Sequence, residues 1–142
     1  MFKASTPKGT IQTACEKLLG TFTTFTEFYN KCKGRGYGNY YNDIKTLAQE
    51  YNTIANLNCA DASQLAYNLA KEMGYSVRYC HVYCTQSGSG HIYLQVAGKE
   101  LGSNWVKVDM AACMSVGSQY PIGQVWCSDA KISSYDDQWL IS

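Results

Sequence analysis

A cysteine at the predicted start of a helix is the first residue whose position suggests chemistry. Cys59 follows Asn58, a good capping residue, and opens an amphipathic segment that ends before Gly74. The unpaired N–H groups and the macrodipole at a helix start favour an anion, so more of a thiol placed there is thiolate, the nucleophilic form. Asp61, in the same turn, opposes this effect with its own charge. Because free cysteines are also common core residues, Cys59 needs a neighbouring base to be identified as reactive.

His91 is the better placed of the two histidines that could act as that base. Both His81 and His91 lie on predicted strands, where a histidine more often packs or hydrogen-bonds than catalyses. His91, however, follows a Gly-Ser-Gly turn at the start of its strand, from which its side chain can reach a cleft.

Asp109 is predicted to lie opposite His91. If the loop at residues 98–102 is symmetric about its middle residue, cross-strand partners have numbers that sum to 200, which pairs these two residues on one face. Their Cβ atoms would then be about 5 Å apart, so that the carboxylate could hold the imidazole Nδ1–H. A register shift of one residue would separate them, and Asp109 would then only close a turn. In chain order, Cys59, His91 and Asp109 form a nucleophile, a base and an orienting carboxylate.

Helices are predicted in the first half of the chain. Apolar residues recur at helical spacing over residues 11–28, which predicts one or two helices before a glycine-rich loop at 33–38. A further helix is predicted after Asn42 as its cap, with Asp43 in its first turn. The best helix runs from about Cys59 to Met73.

Strands follow the helices, because the period of the apolar pattern changes from 3.6 to 2 after Gly74. Three strands are predicted, at residues 75–84, 91–97 and 105–109. Short turns between them make neighbours antiparallel, so the order predicts an α+β fold rather than a βαβ one. From Met110 onward the pattern weakens to loops, with residues 125–127 and 139–141 expected to pack back on the core.

Composition limits the classes of function. The chain has 142 residues, enough for one domain, and its 12 Lys and Arg against 11 Asp and Glu leave a charge of +1, without the basic stripe of a nucleic-acid binder. No apolar run approaches the roughly 18 residues of a membrane span, and the first nine residues lack the apolar core of a secretory signal. The chain therefore has the features of a soluble protein, and we expect a monomer. Seven cysteines cannot all pair, so at least one is a free thiol.

Several motifs together carry a family resemblance. They are the segments Asn58–Leu65, Arg78–Val82, Gly90–Leu94, Trp105–Asp109 and Val116–Cys127, with Tyr40–Asp43 upstream. In residue types, order and spacing, they resemble the catalytic domain of the pseudomurein endoisopeptidases, which are wall-lysing enzymes of viruses and proviruses of methanogenic archaea. The resemblance covers about the last two-thirds of the chain and is weak before Gly34.

The resemblance implies a transglutaminase-like cysteine peptidase fold and a specific reaction. That reaction is hydrolysis of the isopeptide bond from an alanine carbonyl to a lysine ε-amine in the pseudomurein crosslink. Cys59 is then the nucleophile, His91 the general base and later the acid, and Asp109 the orienting group. The Cys59 N–H is a natural oxyanion donor, and a side chain from Asn39 or Tyr40 is the candidate for a second donor.

The resemblance also sets expectations for organisation and partners. Residues 1–33 would be a helical N-terminal region and 34–142 the peptidase core, with no wall-binding repeats. The partner would be the pseudomurein peptide of the archaeal cell wall. The protein would be encoded by a virus or provirus and made in the host cytoplasm. The chemistry needs no cofactor. The family is associated with divalent cations, Ca²⁺ or Mg²⁺, yet no calcium-loop pattern appears among Asp43, Asp129, Asp136 and Asp137.

Three other interpretations remain open. A transglutaminase-like acyltransferase would use the same three residues, with an amine in place of water. A non-catalytic wall-binding module would fit the many tyrosines and few charges. A zinc site at Cys80, His81, Cys84 and His91 is less favoured, because strand alternation turns His81 away from the two cysteines. We expect Cys80, Cys84, Cys113 and Cys127 to pack in the core or to include a disulfide pair.

Overall fold

The structure is a computed structural model that describes residues 8–40, 44–85, 89–127 and 132–136. Helices come first along the chain, and a sheet with one further helix follows. The elements are α1 (Thr10–Leu19), α2 (Phe25–Lys31), α3 (Leu47–Thr53), α4 (Cys59–Glu72), β1 (Ser76–Cys84), β2 (Ser89–Ala97), β3 (Val106–Val108), α5 (Met110–Val116) and β4 (Ile132–Asp136). Within the described ranges, no helix is both long and apolar enough to cross a bilayer.

The long helix α4 confirms the strongest helix prediction. Its cap is Asn58, whose Oδ1 accepts a hydrogen bond from Asp61 N at 2.8 Å. Its apolar stripe is buried against the sheet and against α1, α3 and α5, which makes α4 the central element of the core. Cys59 is therefore the first residue of a helix that the described core holds on several sides.

The predicted start of α3 is wrong. This helix begins at Leu47 and not directly after Asn42, because Thr46 and Gln49 form a capping box in which each side chain accepts from the other's backbone N–H. Ile44 precedes the helix, and Asn42 and Asp43 lie outside the described residues.

The sheet is antiparallel, with strand order β3-β2-β1-β4, so the three predicted strands and the α+β class are confirmed. One face of the sheet packs on the helical core. The other carries a smaller cluster in which Cys84 and Cys127 form a disulfide and Trp126 packs nearby, as predicted for residues 125–127. Strand β4 was not predicted, and residues 139–141 lie outside the described part of the chain.

The register between β2 and β3 differs from the prediction by two residues. Gly98 N–H donates to the Gly102 carbonyl at 2.7 Å, so the loop closes where expected. Between this closing bond and the first strand pair, the segment that leads into β3 is two residues longer than the segment that leaves β2, which accommodates Ser103–Asn104. Val96 therefore pairs with Val106, and the numbers of paired residues sum to 202 instead of 200. A shift of two preserves the face on which each side chain lies.

Helix α5 was missed because its sequence carries no amphipathic period. Its first five residues are all buried, so they appear as an unbroken apolar run and not as a stripe. Asp109 caps it, since Asp109 Oδ1 accepts a hydrogen bond from Ala112 N at 3.1 Å. Asp109 therefore lies just past β3, at the start of a helix.

Candidate active site

His91 and Asp109 form a buried pair. The imidazole Nε2 lies 2.8 Å from Asp109 Oδ2, and the two residues are 7% and 0% exposed. The ring nitrogen that faces the carboxylate is thus Nε2, and the prediction of Nδ1 is wrong. The predicted proximity itself is confirmed, although Asp109 is displaced by two residues from direct cross-strand pairing.

Cys59 lies on the other side of the imidazole. Its side chain hydrogen-bonds His91, and because Nε2 faces Asp109, Nδ1 is the nitrogen left for the sulfur. The structure therefore brings Cys59, His91 and Asp109 together in one row, with the sulfur at a helix start.

The environment of His91 makes it a strong base. Burial by itself would lower the pKa of the imidazole, but the Asp109 carboxylate, by charge and by hydrogen bond, and the contact with Cys59 raise it to about 10. The Asp109 carboxylate thus stabilises the imidazolium that forms when the ring accepts a proton from a neighbouring thiol.

Cys59 also differs from the other free cysteines. All seven cysteines are described: Cys84 and Cys127 are bonded to each other, and of the five free ones only Cys59 is not buried. Burial raises the pKa of Cys15 to about 12 and that of Cys113 to about 11. Those thiols stay protonated and inaccessible, whereas Cys59 is half-buried beside a base.

Asp109 does more than hold the imidazole. The same oxygen that faces His91 also accepts a hydrogen bond from Trp126 N at 3.0 Å, while Oδ1 caps α5. The Trp126 ring packs edge-on against His91, with ring centroids 5.2 Å apart. The Cys84–Cys127 disulfide ties the neighbouring residue to β1. This role of Trp126 could not be predicted, because nothing local in residues 125–127 indicates what they contact.

The two candidates for a second oxyanion donor are placed differently. The Tyr40 hydroxyl donates to Asp61 Oδ2 and accepts from Asn58 N at 3.2 Å, so its one proton is already used. Its carbonyl accepts from Asn58 Nδ2, so Tyr40 braces the cap of α4. Asn39 is exposed, and its role as a donor stays a prediction.

Two fully buried carboxyl groups lie behind the start of α4. Glu50 lies beside Asp61, and its Oε2 accepts from Gln64 Nε2 at 2.9 Å, while Asp61 accepts from Lys45 N at 3.0 Å. Burial first, and then the contact with Asp61, raise the pKa of Glu50 to about 10. Glu50 is therefore protonated at neutral pH and adds no negative charge near Cys59. Sequence analysis did not find Glu50, since the contact joins separate helices.

Glu50→Gln should change the pH dependence of stability. The unfolded carboxyl titrates near 4.5 and the folded one near 10, so between these values the folded protein binds one more proton and its stability falls as pH rises. The amide can keep the hydrogen bond with Gln64 without titrating. In urea unfolding from pH 6 to 9, we expect the free energy of unfolding of wild type to fall, relative to that of the variant, by up to about 1.4 kcal/mol per pH unit. The exposed Glu27, as Glu27→Gln, is the control, and equal slopes for wild type and Glu50→Gln would contradict the assignment.

A metal site is not found in the described part of the chain. Within the described ranges, no three His, Cys, Asp or Glu side chains converge as ligands. The zinc interpretation is wrong, because Cys84 is bonded to Cys127 and His91 faces Asp109. Asp43, Asp129 and Asp137 lie outside the described residues, and Asp136 belongs to β4. The dependence on a divalent cation stays a prediction, and the described residues do not fit one.

Comparison with known proteins points to one family. The sequence model of the family described as pseudomurein endo-isopeptidase Pei matches residues 6–134. The pseudomurein endoisopeptidase of Methanobacterium phage psiM2 is 34% identical over 127 residues, which are 79% of this chain and 40% of that protein. The pseudomurein endoisopeptidase PeiW of Methanothermobacter phage psiM100 is 33% identical over 129 residues, which are 85% of this chain and 44% of that protein. The chain thus spans about two-fifths of the length of these relatives.

Among solved structures, LapG of Legionella pneumophila is similar with a TM-score of 0.48 and 11% identity, over 93% of this chain and 68% of that one. An EGTA-treated form of the same protein gives a TM-score of 0.42 and 14% identity.

The sequence matches extend over nearly the whole chain and include the segments that carry Cys59, His91 and Asp109. They show that this chain belongs to the pseudomurein endo-isopeptidase family of peptidases.

Proposed function

We propose that this chain is a cysteine peptidase that hydrolyses the isopeptide bond between an alanine carbonyl and a lysine ε-amine in pseudomurein, and so lyses the walls of methanogens. Family membership supports cleavage of pseudomurein. The observation that carries the mechanism is the row of contacts from Cys59 through His91 to Asp109, with His91 Nε2 2.8 Å from Asp109 Oδ2.

The reaction begins with proton transfer. His91 Nδ1 takes the proton of the Cys59 thiol, and the sulfur attacks the alanine carbonyl carbon. The oxyanion that forms lies at the start of α4, where the Cys59 N–H has no acceptor within the helix, and Asn39 is the candidate for a second donor. His91 then gives its proton to the lysine nitrogen, the C–N bond breaks, and a thioester to Cys59 remains.

Water completes the cycle. It attacks the thioester carbonyl while His91 Nδ1 takes one of its protons, and collapse of this intermediate releases the alanine carboxyl group and returns the proton to the sulfur. Throughout, Asp109 fixes the orientation of the ring and stabilises its protonated form. The protonated Glu50 keeps a second negative charge away from the start of α4, where the thiolate must form.

Limited alkylation near neutral pH tests the assignment of the nucleophile. We expect iodoacetamide to modify Cys59 first and wall-lysing activity to disappear in parallel, because the other free thiols are buried. Peptide mapping by mass spectrometry identifies the modified residue, and labelling in urea, where all five free cysteines react, is the control. Preferential labelling of Cys15 or Cys32 with activity retained would rule out Cys59 as the nucleophile.

A further inference from the structure

A cleft of about 270 Å³ opens beside His91. Ala112 and Val116 of α5 line it, together with Tyr120, Trp126 and, from the loop after α2, Tyr37. No Asp, Glu, Lys or Arg is among the described residues that line it. The cleft could not be predicted from the sequence, because one of its walls is α5, a helix that the apolar pattern does not indicate.

The position of the cleft relative to the reacting groups determines which half of a substrate it meets. His91 lines it, and Cys59 is not among the described residues that do. In the proposed reaction the acyl half becomes attached to the sulfur, whereas the leaving nitrogen must lie at the imidazole that protonates it. The cleft therefore opens on the side of the leaving group.

We infer that this cleft binds the side chain that carries the leaving amine, with the methylene chain of an isopeptide-linked lysine against Val116, Tyr37 and Trp126. The inference rests on the proposed function and adds the specificity of the same site. A lysine nitrogen in an amide bond is uncharged, so its four methylenes can enter an apolar cleft without loss of ionic hydration.

The exposure of the cleft walls supports an apolar occupant. Tyr37 and Val116 are 43% and 42% exposed, so two large apolar side chains at this cleft remain in contact with water. A methylene chain laid across them removes that surface from water. The cleft also favours product release, because the freed amine takes up a proton from solvent and becomes an ammonium ion, for which none of the described lining residues supplies a carboxylate.

A series of leaving groups tests this inference. The substrates are short peptides in which an alanine carboxyl group is joined to the side-chain amine of lysine, ornithine or diaminobutyric acid, with four, three or two methylenes. If the cleft buries the chain, kcat/KM should fall about fourfold for each methylene removed, or about 16-fold over the series.

A variant in the cleft wall separates burial from leaving-group chemistry. Val116→Ser should reduce the 16-fold ratio at least twofold, while the inherent reactivity of each amine stays the same. Leu18→Ser is the matched control, since Leu18 is an aliphatic residue of α1 with 43% exposure that does not line the cleft. We expect its ratio to equal that of wild type.

The outcomes distinguish this inference from the proposed function. Cleavage of all three peptides at equal kcat/KM, or an unchanged ratio in Val116→Ser, would overturn the inference alone. No cleavage of any peptide would overturn the proposed bond specificity. In that case, Cys59→Ala is titrated with Nε-acetyl-lysine methylamide and its shorter homologues, and binding is followed by the indole N–H NMR signal of Trp126. Affinity that rises about fourfold per methylene supports the cleft assignment, and the absence of a shift overturns it.

Discussion

Cys59→Ser and His91→Ala are each expected to reduce the rate of pseudomurein lysis by at least about a thousandfold, with the fold retained. A serine at position 59 keeps the shape of the side chain, but its hydroxyl gives up a proton far less readily than a thiol does. An alanine at position 91 removes the group that takes and returns that proton. Cys59 is half-buried at a helix start, and His91 lies at the cleft, so neither change leaves a large cavity in the core.

The second histidine provides the control for this result. His81 is half-buried on β1, and His81→Ala should leave lysis near the wild-type rate. Circular dichroism and thermal unfolding establish that each variant is folded. Product analysis on a defined isopeptide also separates hydrolysis, which yields a free carboxyl group, from transfer of the acyl group to a second amine. Lysis retained in either Cys59→Ser or His91→Ala would refute the proposed mechanism.

Two kinds of feature made part of the site predictable from the sequence. One is a pattern among adjacent residues, and the other is the alternation of side chains between the two faces of a strand. The cap at Asn58 and the apolar stripe of α4 determine where Cys59 lies, and both are readable in adjacent residues. The predicted proximity of His91 and Asp109 holds despite an error in register because the error was two residues, which leaves both side chains on one face. An error of one residue would have separated them.

The parts that were missed depend on contacts between distant residues. Helix α5 is buried on several sides, so its apolar run lacks the period that indicates a helix, and the cleft beside it was missed for the same reason. The pairing of Cys84 with Cys127 joins positions 43 residues apart. The raised pKa of Glu50 depends on the packing of α3 against α4, which no short window of sequence specifies.

Asp109 contributes to both activity and stability, so Asp109→Ala should impair both. The change removes the acceptor for three N–H groups, of His91, Ala112 and Trp126. Loss of the helix cap and two buried donors without partners should lower the free energy of unfolding by roughly 3 kcal/mol or more. Activity should fall by about 10² to 10⁴, because the imidazole loses its orientation and the charge that stabilises its protonated form.

Asp109→Asn separates these two effects. The amide has one acceptor oxygen, so it cannot serve both the cap of α5 and the pair formed by His91 and Trp126, and it carries no charge. Without the carboxylate, only the contact with Cys59 opposes the effect of burial, so the pKa of His91 should fall from about 10 towards the ordinary value of 6.5. NMR titration of the imidazole measures that shift, and kcat/KM on a defined peptide measures its consequence.

The control for the structural part is Thr46→Ala, which removes the cap of α3, a helix of the same length as α5 that carries none of the three reacting residues. It should cost about 1 kcal/mol of stability and leave kcat/KM unchanged. If Asp109→Asn behaved like Thr46→Ala, with normal turnover and an unshifted His91, Asp109 would be only a helix cap. The mechanism requires instead that turnover falls together with the pKa of His91, because the carboxylate acts on the reaction through the ring it holds.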